Sequence, residues 1–164
     1  IDELTRKIRA QDREIERVCE EKYPETALLR QVVGVGAVTA LRFVLTLENP
    51  HRFTSSRSVA SYLGLRPRRS QSGGSDPQMR ITKAGDREMR RLLVHSAHYI
   101  LGPFGKDCDL RRFGERLAAR GGKSGKKRAV VAVARKLAVL LHRLWVTGET
   151  YEALRNGKKM KIAA

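Results

Sequence analysis

Leu28-Leu29-Arg30-Gln31-Val32-Val33-Gly34-Val35-Gly36-Ala37-Val38-Thr39-Ala40-Leu41-Arg42-Phe43-Val44-Leu45-Thr46-Leu47 is the stretch on which the fold turns. Two apolar segments at helical spacing flank a Gly-x-Gly turn, the pattern of a helix-hairpin-helix over residues 24–48. Glycine lets a backbone come close to a phosphate, and the free N–H groups that open a helix favour an anion there. Gly34 and Gly36 are therefore candidate phosphate-binding positions, in a contact that carries no base identity. The same glycines would equally serve a plain turn that lets two helices pack closely.

Upstream, Ile1, Leu4, Ile8, Ile15 and Val18 fall on a and d positions of successive heptads, with Gln11 in the one polar d slot. Residues 1–23 are expected to form a coiled-coil helix, or else an ordinary amphipathic helix lying on the core. Pro24 discourages helix at Tyr23 and closes the tract. The sequence starts at Ile1, inside this pattern and without Met, so a piece of a longer protein is expected, with residues 24–164 as a helical domain.

Downstream, Asn49-Pro50 breaks the second apolar helix and a short helix is expected over residues 55–63. Pro67-Arg68-Arg69-Ser70-Gln71-Ser72-Gly73-Gly74-Ser75 follows, inside a Gly-, Ser- and Pro-rich loop at residues 66–78. Asp86 is the expected N-cap of a helix running to Leu101. On that helix Arg87, Arg91, His95 and His98 share one face, Arg90 flanks them, and Met89, Leu92, Leu93 and Ile100 supply an apolar side. A charged helix over residues 107–120 carries Arg111, Arg112 and Arg116. The last strong helix, residues 126–146, places Val130, Val133, Ala134, Leu137, Leu141 and Leu144 on one side, with Arg135, Lys136, His142 and Arg143 opposite, and Gly148 stops it. Strand signals are weak throughout, so the expected class is mainly α.

Lys and Arg number 34 against 17 Asp and Glu, a net charge of +17, so the natural partner is a polyanion. No apolar run approaches the roughly 20 residues that span a bilayer, and no signal segment opens the sequence. Cys19 and Cys108 lie far apart without metal-type spacing. Gly122-Lys123-Ser124 superficially suggests a nucleotide-binding loop, but Leu117 stands where that motif needs glycine.

A serine hydroxyl attacks a phosphodiester only with a proton acceptor and with cations that stabilise charge on the phosphoryl oxygens. Arg68, Arg69, Arg80, Lys83, Arg87 and Arg91 are placed for the second task, arginine best because it offers planar bidentate donors. Spacing alone does not choose among Ser70, Ser72 and Ser75.

The order of motifs adds to this. The heptad helix, the stretch from Val32 to Ala40, Arg52-Phe53-Thr54-Ser55, Ala60-Ser61-Tyr62-Leu63-Gly64-Leu65-Arg66-Pro67, Ser70-Gln71-Ser72-Gly73-Gly74, the stretch from Arg80 to Leu93 and that from Arg128 to Ala138 together resemble the C-terminal domain of IS110-family transposases. The resemblance implies a DNA recombinase directed by a structured bridge RNA. It implies that Ser72, immediately before the glycine, is the nucleophile, forming a transient phosphoserine link to DNA during strand exchange. It further implies an N-terminal RuvC-like domain whose acidic residues hold magnesium, self-association as a dimer or tetramer, and a cytoplasmic, nucleoid-associated prokaryotic location. No matching acidic domain stands in these residues, so catalysis by this segment alone is not expected. The alternative from a different class is a non-enzymatic helix-hairpin-helix module that binds DNA or RNA through charge.

Overall fold

The computed structural model describes residues 2–68, 79–122 and 124–156. Over them the chain is mainly helical, and its one β interaction is an isolated bridge between Pro67 and Ile81.

The heptad tract forms α1 (Asp2–Lys22). Its C-terminal part is anchored, with Cys19 buried and Glu16 paired with Arg30 at 2.6 Å. Leu4 and Ile8, on the apolar seam of the other end, stay 64% and 50% exposed. The first of the two helices expected around the glycines is short: α2 (Thr26–Leu29) has four residues. Beyond it the chain runs through tight turns, with Val32 N–H donating to the Leu29 carbonyl and Val35 N–H to that of Val32. The β-branched pair at 32 and 33 and the left-handed Gly34, φ +81°, are poor material for continuing a helix. Leu29, Val32 and Val35 are nonetheless buried, so the apolar run is spent on the core. The second helix, α3 (Ala37–Leu47), begins where expected.

A 3-10 turn (Pro50–Arg52) and α4 (Ser56–Tyr62) follow, then α5 (Arg87–Leu101) and α6 (Asp109–Ala119). Asp86 caps α5 by accepting from the Met89 N–H. The centre is α7 (Gly125–Thr147), which packs against α4, α5 and α6. Val133, Ala134, Leu137 and Leu141 on it are fully buried, and each large one contributes roughly 1.5–3 kcal/mol by leaving water. Gly148, φ +66°, ends α7 with its N–H on the Leu144 carbonyl at 2.9 Å.

His142 departs from its expected place on the polar face of α7. It is buried, with Nε2 2.8 Å from the Pro50 carbonyl and Nδ1 3.0 Å from Ser56 Oγ. A carbonyl can only accept, so Nε2–H donates to it, and in the neutral ring Nδ1 accepts from the serine hydroxyl. This one ring ties α7 to the 3-10 turn and to the start of α4.

Candidate nucleic-acid interface

The segment between α4 and α5 is built on two glycines that cannot be replaced without strain. Gly64 and Gly85 have φ of +69° and +74°, and a Cβ at either would lie 2.1 Å from a backbone carbonyl, of Ala84 and Tyr62 respectively. The two backbones therefore touch, and from this corner the chain zips into a short antiparallel stem. Lys83 N–H donates to the Gly64 carbonyl at 3.0 Å, Thr82 N–H to Arg66 at 2.9 Å and Arg68 N–H to Arg80 at 2.9 Å, around the bridge between Pro67 and Ile81. The stem carries the arms that lead into and out of residues 69–78. Arg69, Ser70, Ser72 and Ser75 lie outside the described residues.

Side chains alternate along extended backbone, so Arg66, Arg68 and Arg80 share one side of the stem and Pro67 and Ile81 the other, with Ile81 packed on the core. All three arginines are exposed. Arg68 stands directly across from Arg80, an arrangement of like charges that is destabilising unless an anion lies between them. Lys83 follows, exposed, at φ +59°. Sequence reasoning missed Arg66, because only the pairing register shows that it shares a side with Arg68 and Arg80.

The basic stripe on α5 is present, with Arg87, Arg91, His95 and His98 all exposed. Arg91 pairs with Glu88 at 2.9 Å across open surface, while Arg87 has no ion pair among the described residues. Arg90, expected to flank the stripe, does different work. Its Nη1 donates to the carbonyls of Leu63 at 3.0 Å and Ala84 at 2.7 Å, clamping the corner beneath the stem. Arg111 likewise leaves the charged surface: its Nη1 donates to Ile100, Gly102 and Gly105, the last carbonyls of α5 and the turn beyond it.

Gly34 and Gly36 lie against the same α5. Gly34 is a packing glycine, since a Cβ there would meet Ser96 O at 3.1 Å and the side chains of Ile100 and Tyr99 at 3.2 Å. Gly36, the N-cap of α3, opens on a shallow depression of about 690 Å³ whose lining includes Thr39, His95, Ser96 and Tyr99. The α3 N-terminus, Arg87, Arg91 and the stem are thus linked through α5, and Arg42 of α3 pairs with the α5 cap Asp86 at 2.6 Å.

A second basic surface lies over α6 and α7, around a depression of about 400 Å³ that Arg112, Arg116, Lys136 and Arg143 line. Much of its charge is internally balanced. Glu149 takes both Arg155 and Arg143, and Arg155 above all holds its carboxyl below the ordinary range. Arg112 does the same to Asp107. Lys136 sits 4.0 Å over the Phe113 ring. No three His, Cys, Asp or Glu side chains gather to hold a metal ion among the described residues, and no helix there is long and apolar enough to cross a membrane.

The fold and its charge define a helical domain with a short antiparallel stem on a basic face. Residues 26–105, which include the α3 turn, the corner, the stem and α5, match the model of the Transposase IS116/IS110/IS902 family. The chain is 32% identical over 123 residues to the transposase for insertion sequence element IS1111A of Coxiella burnetii, covering 75% of this chain and 33% of that protein. It is 31% identical over 115 residues to a pilin gene-inverting protein of Moraxella lacunata, covering 70% and 34%. The transposase for insertion sequence element IS1328 of Yersinia enterocolitica is 36% identical over 73 residues, 44% of this chain and 22% of that protein. Residues 26–105 thus carry an IS110-family transposase domain. It spans about a third of the length of the first two of these relatives.

Proposed function

We propose that this chain is the part of a DNA transposase that supplies the serine nucleophile. In this reading the Ser72 hydroxyl attacks a DNA phosphorus, its proton passes to a base, and the bond from phosphorus to the leaving sugar oxygen breaks as that oxygen is protonated. The phosphoserine ester keeps the energy of the broken link, so a second strand's hydroxyl can displace the serine without ATP. Arg66, Arg68 and Arg80 on the stem, with Lys83, Arg87 and Arg91 beside it, stabilise the charge on the phosphoryl oxygens. The N–H groups opening α3 at Gly36 hold a neighbouring backbone phosphate.

The single observation that carries the reading is the stem itself. It closes the segment containing Ser72 at its base and sets arginines face to face at the point of entry, within the residues that match a transposase family. A guide RNA, a dimeric or tetrameric assembly and a coiled-coil partner for the exposed seam of α1 belong to the same reading. Magnesium belongs to a separate acidic domain in it; the described residues do not form such a site, and no step is routed through the metal.

The test is covalent trapping. Full-length protein incubated with its DNA and guide RNA should yield a protein–DNA adduct that disappears in Ser72→Ala, while DNA binding persists. An adduct that survives the substitution removes Ser72 from the role. Binding without any adduct in the unsubstituted protein would favour the non-enzymatic module.

A further inference from the structure

The depression beside the α3 turn holds more than a phosphate needs. Gly36 has φ −93° and nothing within 4 Å of where a Cβ would be, so neither backbone nor packing calls for glycine. What a side chain there would remove is open space above the α3 N-terminus. Thr39 and Ser96 line the depression at 8% and 4% exposure, and among the described residues neither hydroxyl has a hydrogen-bond partner. Neither oxygen is sealed from the surface, so each is open to a polar ligand that enters the depression. Tyr99, on the same lining, keeps half its surface in solvent at 50%, although a large ring gains by covering it.

Open space at a helix N-terminus, two accessible hydroxyls that no protein group engages among the described residues and an uncovered aromatic ring together specify a ligand with an anion, a polar edge and a flat apolar face. We propose that the depression takes an unstacked nucleotide, with its phosphate at Gly36, its base against Tyr99 and its polar edge on Thr39 and Ser96. In a continuous duplex both faces of a base are covered by its neighbours, so the ligand is an extrahelical or single-stranded nucleotide, of DNA or RNA. The inference rests on reading this face as a nucleic-acid interface. It adds that the face sorts nucleic acid by whether a base is free.

The experiment compares binding of the chain to a fully paired DNA duplex and to the same duplex with one extrahelical nucleotide, and to the RNA counterparts, at fixed salt. Tyr99→Ala is expected to weaken the bulged probe about tenfold and leave the paired one within about twofold, whereas Tyr99→Phe keeps the preference. Loss confined to bulged DNA or to bulged RNA supports the inference and names the source. Equal affinity of Tyr99→Ala and the unsubstituted chain for every bulged probe overturns it, as does equal weakening of paired and bulged probes. Gly36→Asp places a carboxylate at the phosphate position in a residue that caps helices well, so the fold is kept. Weakening of all probes by Gly36→Asp with no effect of Tyr99→Ala sinks the base site alone; no effect of Gly36→Asp on any probe sinks the interface reading at this turn as well.

Discussion

The corner at Gly64 and Gly85 and the depression at Gly36 lie within the same family match and use the same materials, glycine turns set beside α5, to opposite ends. At the corner both glycines are wedged against backbone, and Arg90 fills the carbonyls of Leu63 and Ala84. At the depression Gly36 faces open space, and the accessible hydroxyls of Thr39 and Ser96 have no protein partner among the described residues. Saturated polar groups mark architecture, because nothing further can be gained there. Polar groups that reach the surface without a protein partner leave a ligand something to bond. Adjacent arginines make the same point: Arg90 and Arg91 differ by one position on α5, and only the second keeps its donors at the surface.

The contrast can be broken most forcefully at the corner. Arg90→Ala leaves two backbone carbonyls without their charged donor, and should cost roughly 3 kcal/mol in a urea melt. A loss below about 1 kcal/mol would mean that the corner holds without its clamp. At the α5 cap the effect is smaller. Asp86→Ala should cost about 1 kcal/mol at neutral pH. The Met89 N–H, helped by Arg42, lowers the Asp86 carboxyl below its ordinary value of 3.8. Because the folded value is the depressed one, this stabilisation is complete above about pH 4 and disappears as pH falls through the folded value. Asp86→Asn, which still accepts a hydrogen bond, should therefore flatten the acid limb of the stability profile; an unchanged limb would assign the acid loss to other groups. The smallest change in stability belongs to the stripe. Arg87→Ala with Arg91→Ala should stay within about 0.5 kcal/mol in the same melt, yet weaken DNA binding and reduce its salt slope by about two. A salt slope equal to that of the unsubstituted chain would remove α5 from the interface.

Helix positions were legible because burial repeats with the helical period. The apolar side of α7, its stop at Gly148 and the Asp86 cap are all local signals that the structure retains. The short α2 was not legible, since the apolar character that suggested helix up to the glycines is spent in buried turns. Arg90, Arg111 and His142 escaped for one shared reason. Each is defined by carbonyls contributed from other segments, and a carbonyl has no letter in a sequence. The stripe of Arg87, Arg91, His95 and His98 was readable by spacing, and so was the closeness of Arg68 and Arg80 to the loop. That these two oppose each other, with Arg66 beside them, depends on register. The choice of Ser72 among three serines came from the resemblance to a family, and the described residues do not include it.

Arg68 opposite Arg80 has a thermodynamic corollary. Closing the stem brings two positive charges together, so the free energy of closure and the affinity for an anion between them are linked functions: whatever one contributes, the other must return. Phosphate binding then tightens the stem, and a splayed stem binds phosphate less well. The arms around residues 69–78 would thus be reinforced most strongly when a nucleic-acid backbone is in place.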